Sequence, residues 1–406
     1  MNLKNKLAFL TTLAVFSQSV SAVPFTFDGR SLGMGGASTA TADLATAAWA
    51  NPAMLTNQRP NDDFALLVGF GVFARDNDDL LGDIQDFQAA DDRRIAAQNA
   101  NDIPAYGQAI IDMAGAVSNT AEKDMAADVS GVLALGIAFD SFAMALSVRS
   151  DAIGAGTLSD PSCTYDPTPG SGCTLIELEQ QVTSTAYNKL NIEGVVATEF
   201  GASFAKSFEL YERKVSVGIK PKIVDLKGFG YTEAILSIDS VSNVLDKENQ
   251  YTLGTFTSMD LGLAAELTRS IRLGLNIRNL ITDEFDVGNG QKLNFDTTAR
   301  LGAAYHNRLM TLAIDYDLTA NKPLLANPNF ADLKTQYLMA GAEFNAFDFV
   351  QLRVGASKNV ASGISDNAAA PTLSAGLGFW LGFNLDIAAT YRSGAVGGFL
   401  QTGFRF

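Results

Sequence analysis

Histidine and cysteine are scarce in this sequence of 406 residues. It contains one histidine, His306, and two cysteines. One histidine cannot build a multi-histidine zinc site, and its isolation argues against a Ser-His-Asp triad. The two cysteines do not form a Cys-x-x-Cys pair, which argues against a thioredoxin-type oxidoreductase. The sequence therefore predicts a protein that is not an enzyme and that needs no metal or cofactor.

Charged residues and long apolar runs are also few. Asp, Glu, Lys and Arg make up 18% of the chain, which is low for a soluble domain, whereas 47% is hydrophobic. The net charge of −15 argues against binding to nucleic acid. After the first residues, no stretch approaches the roughly 18 or more apolar residues that are typical of a transmembrane helix.

The first residues have the order of a secretory signal peptide. Lys4 and Lys6 precede an apolar stretch over residues 7–20, and small residues follow up to Ala22. The stretch is too short to span a bilayer, and a buried N-terminal helix is the alternative. We expect residues 1–22 to be a signal peptide that is cleaved after Ala22.

Both cysteines lie in one stretch, DPSCTYDPTPGSGCT, which is rich in Pro, Gly, Asp and Ser. This composition is typical of a loop. In an exported protein, an even pair of cysteines in a loop most simply forms a disulfide. We therefore predict a Cys163–Cys173 disulfide in an extracellular loop.

From Phe64 onward, apolar and polar residues alternate. In LMTLAIDYDL, for example, Leu312 and Ile314 alternate with Ala313 and Asp315. Such alternation predicts strands that have one apolar and one polar face. The pattern gives fourteen strands: Phe64–Ala74, Val129–Asp140, Phe142–Ala152, Asn191–Phe208, Lys214–Phe229, Tyr251–Leu267, Ile271–Ile281, Leu293–His306, Leu309–Leu318, Lys334–Phe344, Phe349–Lys358, Thr372–Leu381, Asn384–Arg392 and Gly398–Phe406.

The connections between these strands alternate between long and short. The first is long, over residues 75–128, and the next is a tight turn at Asp140-Ser141; the last long one covers residues 393–397. An even number of antiparallel strands with short turns on one side and long loops on the other is typical of outer-membrane barrels. In lipid, a closed barrel satisfies every backbone hydrogen bond. We predict an all-β, 14-stranded antiparallel transmembrane outer-membrane β-barrel over residues 61–406.

A soluble β-sandwich would show the same alternation. The asymmetry of the loops and strand lengths near the about 9–11 residues that cross a membrane argue against it. The chain also ends FLQTGFRF, in which Leu400, Phe404 and Phe406 share one face. This ending resembles the terminal strand that the barrel-assembly machinery recognises in bacterial outer-membrane proteins. We therefore expect Phe404 and Phe406 to be an assembly signal.

A glycine-rich stretch, SLGMGGASTATADLATAAWANPAMLTN, lies between the signal peptide and the first strand. A dinucleotide-binding loop needs a strand before its glycines and a helix after them, and a phosphate-binding Walker loop needs Lys followed by Ser or Thr. Neither pattern is present. The remaining interpretations are a flexible linker and a packed plug.

The same stretch resembles the N-terminus of FadL-type outer-membrane transporters, in which a Gly- and Ala-rich segment precedes Asn-Pro-Ala and the first strand. The residues that carry the resemblance are Gly33, Gly35, Gly36, Asp43, Asn51 and Pro52. It implies that residues 23–60 form a hatch of short helices that plugs the barrel lumen. Small residues suit this role because they allow close backbone packing. Within that superfamily, DDFALLVGFGVFARDNDDLLGDIQDFQ resembles the conjugal-transfer TraF-like branch.

Charged residues on the predicted inward faces form a further candidate site. They are Arg272, Arg278, Arg300, Arg353 and Arg392, together with Asp296, Asp315, Asp317 and Asp386. They could line a permeation path, or they could neutralise one another and anchor the hatch. The second interpretation is favoured because both signs of charge share the lumen.

The resemblance implies an outer-membrane channel for small hydrophobic molecules in a Gram-negative bacterium. The alternative is a non-transporting structural or interaction barrel that supports conjugation or pilus-like surface assembly. The first loop, residues 75–128, has helical periodicity at Leu80, Ile84 and Phe87 but does not match the substrate-capturing helices of fatty-acid transporters. Expected partners are outer-membrane lipid, the assembly machinery, and a hydrophobic ligand or conjugation proteins. A continuous apolar pocket beside the hatch would favour transport, and a filled polar lumen would favour the alternative.

Overall fold

The computed structural model describes residues 28–57, 63–76, 79–118, 123, 125–158, 173–184, 189–237, 250–288, 291–321, 334–346, 349–364, 366 and 368–405. Within these ranges, fourteen antiparallel strands close a barrel, in which each strand pairs with the barrel strands before and after it and the first strand pairs with the last. The barrel strands are β1 (Phe64–Arg75), β2 (Met125–Ala138), β3 (Phe142–Leu158), β4 (Lys189–Leu210), β5 (Arg213–Ala234), β6 (Gln250–Glu266), β7 (Ile271–Arg278), β10 (Thr298–His306), β11 (Met310–Asp317), β12 (Tyr337–Ala346), β13 (Val350–Asn359), β14 (Thr372–Trp380), β15 (Asn384–Arg392) and β16 (Ala395–Arg405). The predicted fourteen-stranded barrel is confirmed.

The two faces of the barrel follow the alternation of the sequence. On β11, Ile314 faces outward and is 50% exposed, whereas its neighbour Asp315 faces inward and is 1% exposed. The outer face carries large apolar side chains such as Phe70 and Leu400, whereas buried charged residues lie inside. An apolar exterior with a polar interior is the arrangement that a barrel needs in lipid.

One predicted strand is only partly correct. Residues 293–295 belong to β9 (Gln291–Phe295), which pairs with β8 (Asp283–Gly288) in a separate two-stranded hairpin. The barrel strand β10 begins only at Thr298. A hairpin and a barrel strand have the same period-two pattern, so alternation could not distinguish them.

The prediction of a long connection over residues 393–397 is also wrong, because Ser393 and Gly394 form a tight turn in which Gly394 has a φ of 69°.

Strands β4 and β5 extend well beyond the rest of the wall. Each has 22 residues, compared with the about 9–11 that cross a membrane. Their extensions lie on the side of the long loops, where β4 begins at Lys189 and β5 ends at Ala234. The extra length provides a surface on which the loops pack.

Three helices pack on these extensions: α3 (Leu80–Ala100), α4 (Ile103–Val117) and α5 (Leu175–Thr183). Their apolar faces form one buried cluster with the strands, and this cluster includes Phe87, Met113, Leu178 and Phe229. The first two helices lie in the predicted helical loop. Helix α5 was not predicted, although Thr174 and Glu177 form a capping box at its start. Tyr106 of α4 donates a hydrogen bond to Glu179 of α5, which raises the pKa of the tyrosine hydroxyl.

None of the described helices is both long enough and apolar enough to cross a membrane. Residues 1–27 and Phe406 lie outside the described part of the chain, and so does Cys163. Cys173 is disulfide-bonded. The signal peptide, the role of the terminal Phe406 and the position of the Cys163–Cys173 loop stay predictions.

Residues 28–57, which we call the hatch segment, lie inside the barrel. They contain α1 (Gly29–Gly33), α2 (Ala47–Ala50) and a 3₁₀ helix over Pro52–Thr56. Asp28 begins α1 by accepting hydrogen bonds from the amide and the hydroxyl of Ser31, both at 2.8 Å. The apolar side chains of the segment pack on inward-facing wall residues, as Trp49 and Leu55 share a buried cluster with Phe399. The segment fills the lumen toward the short-turn end of the barrel.

Candidate functional site

Glycines of the barrel wall form the surface on which the hatch segment lies. At this surface, glycines face each other on neighbouring strands in three pairs, namely Gly218 and Gly262, Gly274 and Gly302, and Gly341 and Gly355. A Cβ atom at Gly218 would lie 2.3 Å from the Ala53 nitrogen, and one at Gly355 would lie 2.2 Å from the Gly35 nitrogen. The backbone of the hatch segment therefore packs directly against the backbone of the wall. The sequence analysis missed this role, although these glycines stand at inward-facing positions of predicted strands.

Two of the predicted hatch glycines, Gly33 and Gly35, lie close to the wall backbone. Gly35 and Gly36 have φ values of 70° and 94°, and residues other than glycine rarely adopt such positive values. A Cβ atom at Gly35 would lie 2.6 Å from the carbonyl oxygen of Ala356. At Gly33, it would lie 3.0 Å from the Cα of Gly376 on β14. Space and backbone conformation both require glycine at Gly35.

A chain of ion pairs and hydrogen bonds connects α1 to four wall strands. Arg30 contacts Glu343 of β12 at 2.8 Å, and Glu343 is also 2.8 Å from Arg353 of β13. Arg353 in turn contacts Asp386 of β15 at 2.5 Å. Gln401 of β16 donates to Asp386 at 3.0 Å and accepts a hydrogen bond from the Gly29 amide at 2.9 Å. The network therefore begins and ends on the hatch segment.

A second wall carboxylate holds the middle of the hatch segment. Oδ2 of Asp315 accepts two hydrogen bonds from the hatch backbone. The donors are the amides of Ser38 and Thr39, at 2.9 Å each. Asp43 pairs with Arg405 of β16 at 2.7 Å. That arginine is not among the five that the alternation pattern selected. Its pairing places the acidic hatch residue against the last barrel strand.

The Asn-Pro-Ala motif closes the other end of the hatch segment. The Asn51 side chain donates to the carbonyl oxygens of Thr39, at 2.9 Å, and of Leu263, at 3.1 Å. Its oxygen accepts from the Ala53 amide at 3.1 Å, which starts the 3₁₀ helix with Pro52 in its first turn. On β7, Asn276 donates to the Ala50 carbonyl at 2.7 Å. The motif joins two parts of the hatch segment to β6 and β7.

The remaining predicted charges fall into separate groups. Arg278 belongs to a charged layer on the loop side of the hatch segment, in which Lys222 contacts Glu199 at 3.0 Å and Asp260 at 2.8 Å. Lys220 also contacts Glu199. Arg300 pairs with Asp317 at 2.6 Å, and Arg272 pairs with Glu266 at 3.0 Å, whereas Arg392 lies half-buried near the loop end of β15. Asp296 lies between β9 and β10, outside the wall strands. The sequence analysis missed Lys220, Lys222 and Glu199.

The outer wall contains an apolar recess at the level of this charged layer. Its volume is about 740 Å³. Nine of its lining residues are apolar: Leu66, Leu133, Leu135, Leu146, Val148, Phe200, Ala202, Pro221 and Ile223. Gly201, Ser147 and Lys222, which face the lumen, also contribute to the lining. Outward-facing and inward-facing residues of the wall therefore both line the recess.

The pairing of β4 with β5 is interrupted beside this recess. Gly201 pairs with Lys222 and Phe204 pairs with Ile219, whereas the residues between them do not pair. Pro221 lies in this gap and has no amide hydrogen to donate to a neighbouring strand. Fewer backbone hydrogen bonds hold the wall together here than along the rest of β4 and β5.

Two comparisons with known proteins give a family and a fold. The model of the family described as "F plasmid transfer operon, TraF, protein" matches residues 48–317. The chain belongs to this family. None of the curated protein sequences matches it.

Solved structures of FadL type share the fold. The toluene transporter TodX of P. putida is 12% identical, with a TM-score of 0.55 over 94% of this chain and 99% of that one. The toluene transporter TbuX of Ralstonia pickettii is 12% identical, with a TM-score of 0.52 over 95% and 99%. A FadL homologue of Pseudomonas aeruginosa is also 12% identical, with a TM-score of 0.52 over 94% and 98%. This TraF-family chain therefore has the barrel fold of FadL-type transporters.

Proposed function

We propose that this TraF-family protein is an outer-membrane channel that admits small hydrophobic molecules. The apolar outer face of the barrel supports a position in the lipid of the outer membrane, and the FadL-type fold supports transport. The observation that carries the proposal is the apolar recess of about 740 Å³ at the gap between β4 and β5. It supports a route through the wall.

The contents of the lumen support this lateral route over a straight one. The hatch segment fills one end, and the charged layer of Glu199, Lys222 and Asp260 lies next to it. An apolar solute that passed between these ion pairs would separate buried charges from their partners, which is costly. At the same level, the recess offers apolar side chains and an unpaired stretch of wall. A hydrophobic molecule would therefore leave the lumen sideways into the membrane.

The test is toluene uptake into liposomes that contain the purified protein. Ala202 lines the recess, so Ala202→Trp should fill it and reduce the rate of uptake at least severalfold. Ala340→Trp is the matched control because Ala340 is exposed on β12, which does not contribute to the recess. Equal rates in the two variants would contradict the lateral route. No uptake by the unsubstituted protein would contradict the channel itself.

A structural or interaction barrel is the second candidate function. Two observations favour it: the charged layer in the lumen and the helical cap of α3, α4 and α5 on the loop side. The family description points to conjugative transfer, in which such a cap could contact partner proteins. A strain that lacks the protein would separate the two candidates. The second predicts a loss of conjugation with unchanged toluene uptake, and the channel predicts the reverse.

A further inference from the structure

An apolar surface replaces the charged layer farther along the lumen. Asp151 of β3, which pairs with Arg149 at 2.6 Å, is followed by Ile153 at the next inward position toward the long loops. In the same direction, Glu199 is followed by Ala197 and Lys222 by Val224. The apolar residues Ile153, Ala197 and Val224 form one buried cluster with four others: Ala155, Val195, Leu226 and Phe256. On β3 to β6, the lumen is therefore polar beside the hatch segment and apolar beside the loops, whereas the buried Asp128 of β2 lies opposite Ile153.

Two phenylalanines of the β8–β9 hairpin cover this apolar surface. The ring centroid of Phe295 lies 4.8 Å from that of Phe256 on β6. The ring centroid of Phe285 lies 5.6 Å from that of Phe256. Gly254 leaves space for the hairpin, since a Cβ atom there would lie 2.9 Å from Cε1 of Phe285. The apolar wall therefore contacts aromatic side chains that come from a loop and not from the barrel.

Within the described residues, the base of the hairpin is one of its points of attachment to the barrel. In the described residues, β8 and β9 pair with each other and with no barrel strand. Asn279, with a φ of 53°, turns the chain out of β7, and its carbonyl accepts a hydrogen bond from Thr297 at 2.7 Å. The Asn279 amide donates to Asp260 of the charged layer at 2.9 Å. Because the described hairpin does not pair with any barrel strand, it can swing about this base.

We propose that the β8–β9 hairpin is a displaceable lid, and that Phe285 and Phe295 occupy a lumenal binding site for small aromatic molecules. A molecule of this kind has the shape and the apolar character of the phenyl rings that now fill the site. It would compete with them for Phe256, Val224 and Ile153, and the lid would open as it binds. The inference rests on the proposed channel, for which the site would be the entrance from the loop side.

The first test measures toluene affinity for the full-length protein in detergent. Phe295→Ala removes a competing ring and leaves an apolar cavity, a kind of site that can stay dry and bind benzene. We expect its affinity for toluene to rise at least about tenfold. Phe344→Ala is the matched control, because Phe344 is 47% exposed on the outer face, and it should leave the affinity unchanged. Equal affinities in all three proteins would overturn the proposal.

A second measurement uses the unsubstituted protein, so it does not depend on the folding of a variant. Saturating toluene should accelerate amide hydrogen exchange in residues 283–288 and 291–295, and leave β10 unchanged. Unchanged exchange in the hairpin while toluene is bound would also overturn the lid. Liposome uptake distinguishes this failure from failure of the channel, because uptake would then persist without any response of the hairpin.

Discussion

Arg30 of the hatch segment and Glu343 of β12 form a two-point ion pair, with 2.8 Å between Nε and Oε2 and 2.9 Å between Nη2 and Oε1. A paired arrangement of two parallel hydrogen bonds fixes direction as well as distance. Because Glu343 also binds Arg353, one carboxylate holds the hatch segment and the wall network together. This ion pair therefore fixes the orientation of Arg30 relative to β12.

Glu343→Leu should therefore release the hatch segment. The substitution leaves Arg30 and Arg353 buried without their shared carboxylate, which costs about 3–5 kcal/mol. We expect faster cleavage within residues 28–57 by an added protease and a lower free energy of unfolding. Glu209→Leu, at an exposed position near the end of β4, should change neither. Equal protease resistance of the two variants would mean that the ion pair does not hold the hatch segment.

Gly355→Leu should prevent the hatch segment from reaching its place on the wall. Its Cβ would meet the backbone of Met34 and Gly35 at 2.2–2.3 Å, and backbone atoms cannot rotate away. We expect a barrel that still shows heat-modifiable mobility but has a protease-sensitive N-terminus. Gly131→Leu is the control, because a Cβ at Gly131 has no atom within 4 Å. If the hatch segment resists protease equally in both variants, close packing against the wall glycines does not hold it in place.

Phe87→Ala should loosen the helical cap without opening the barrel. Phe87 is fully buried between the helices and the strand extensions, and removing such a ring costs about 3–5 kcal/mol. Hydrogen exchange should speed up in α3 and α4 and remain slow in β11. Ile103→Ala should have little effect, since Ile103 is 81% exposed. Equal exchange rates in these two variants would show that the cluster does not stabilise the cap.

The predicted disulfide can be tested by thiol labelling. Denatured but unreduced protein should take up no maleimide at Cys163 or Cys173. Reduction should lower the stability of the loop by about 2–3 kcal/mol, as expected for the closure of a short loop. Labelling of both thiols before reduction would contradict the pairing.

The sequence predicts the faces of the strands well and their neighbours poorly. Arg353 and Asp386 could be placed in the lumen because side chains alternate between the two faces of a strand. Their contacts with each other and with Glu343 depend on strand register, which alternation alone does not determine. The opposed glycines have the same explanation, because Gly341 and Gly355 meet only when β12 and β13 are aligned.

Other features escaped because two structures share one pattern. The period-two signal over residues 291–295 fits a barrel strand and a lumenal hairpin equally well. Arg405 lies on the inward face of β16, yet the pairing of Asp43 with this arginine follows from the path of the hatch segment through the lumen. That path is set by packing against the whole wall, which no local pattern records.

Ion conductance in planar bilayers tests the central claim most directly, namely that residues 28–57 plug a barrel that closes without them. The complete protein should conduct few ions, because the hatch segment and the charged layer fill the lumen. Deletion of residues 28–57 should leave a folded, heat-modifiable barrel with a clearly higher, stable conductance. The same conductance before and after the deletion, in a barrel that still folds, would contradict the account.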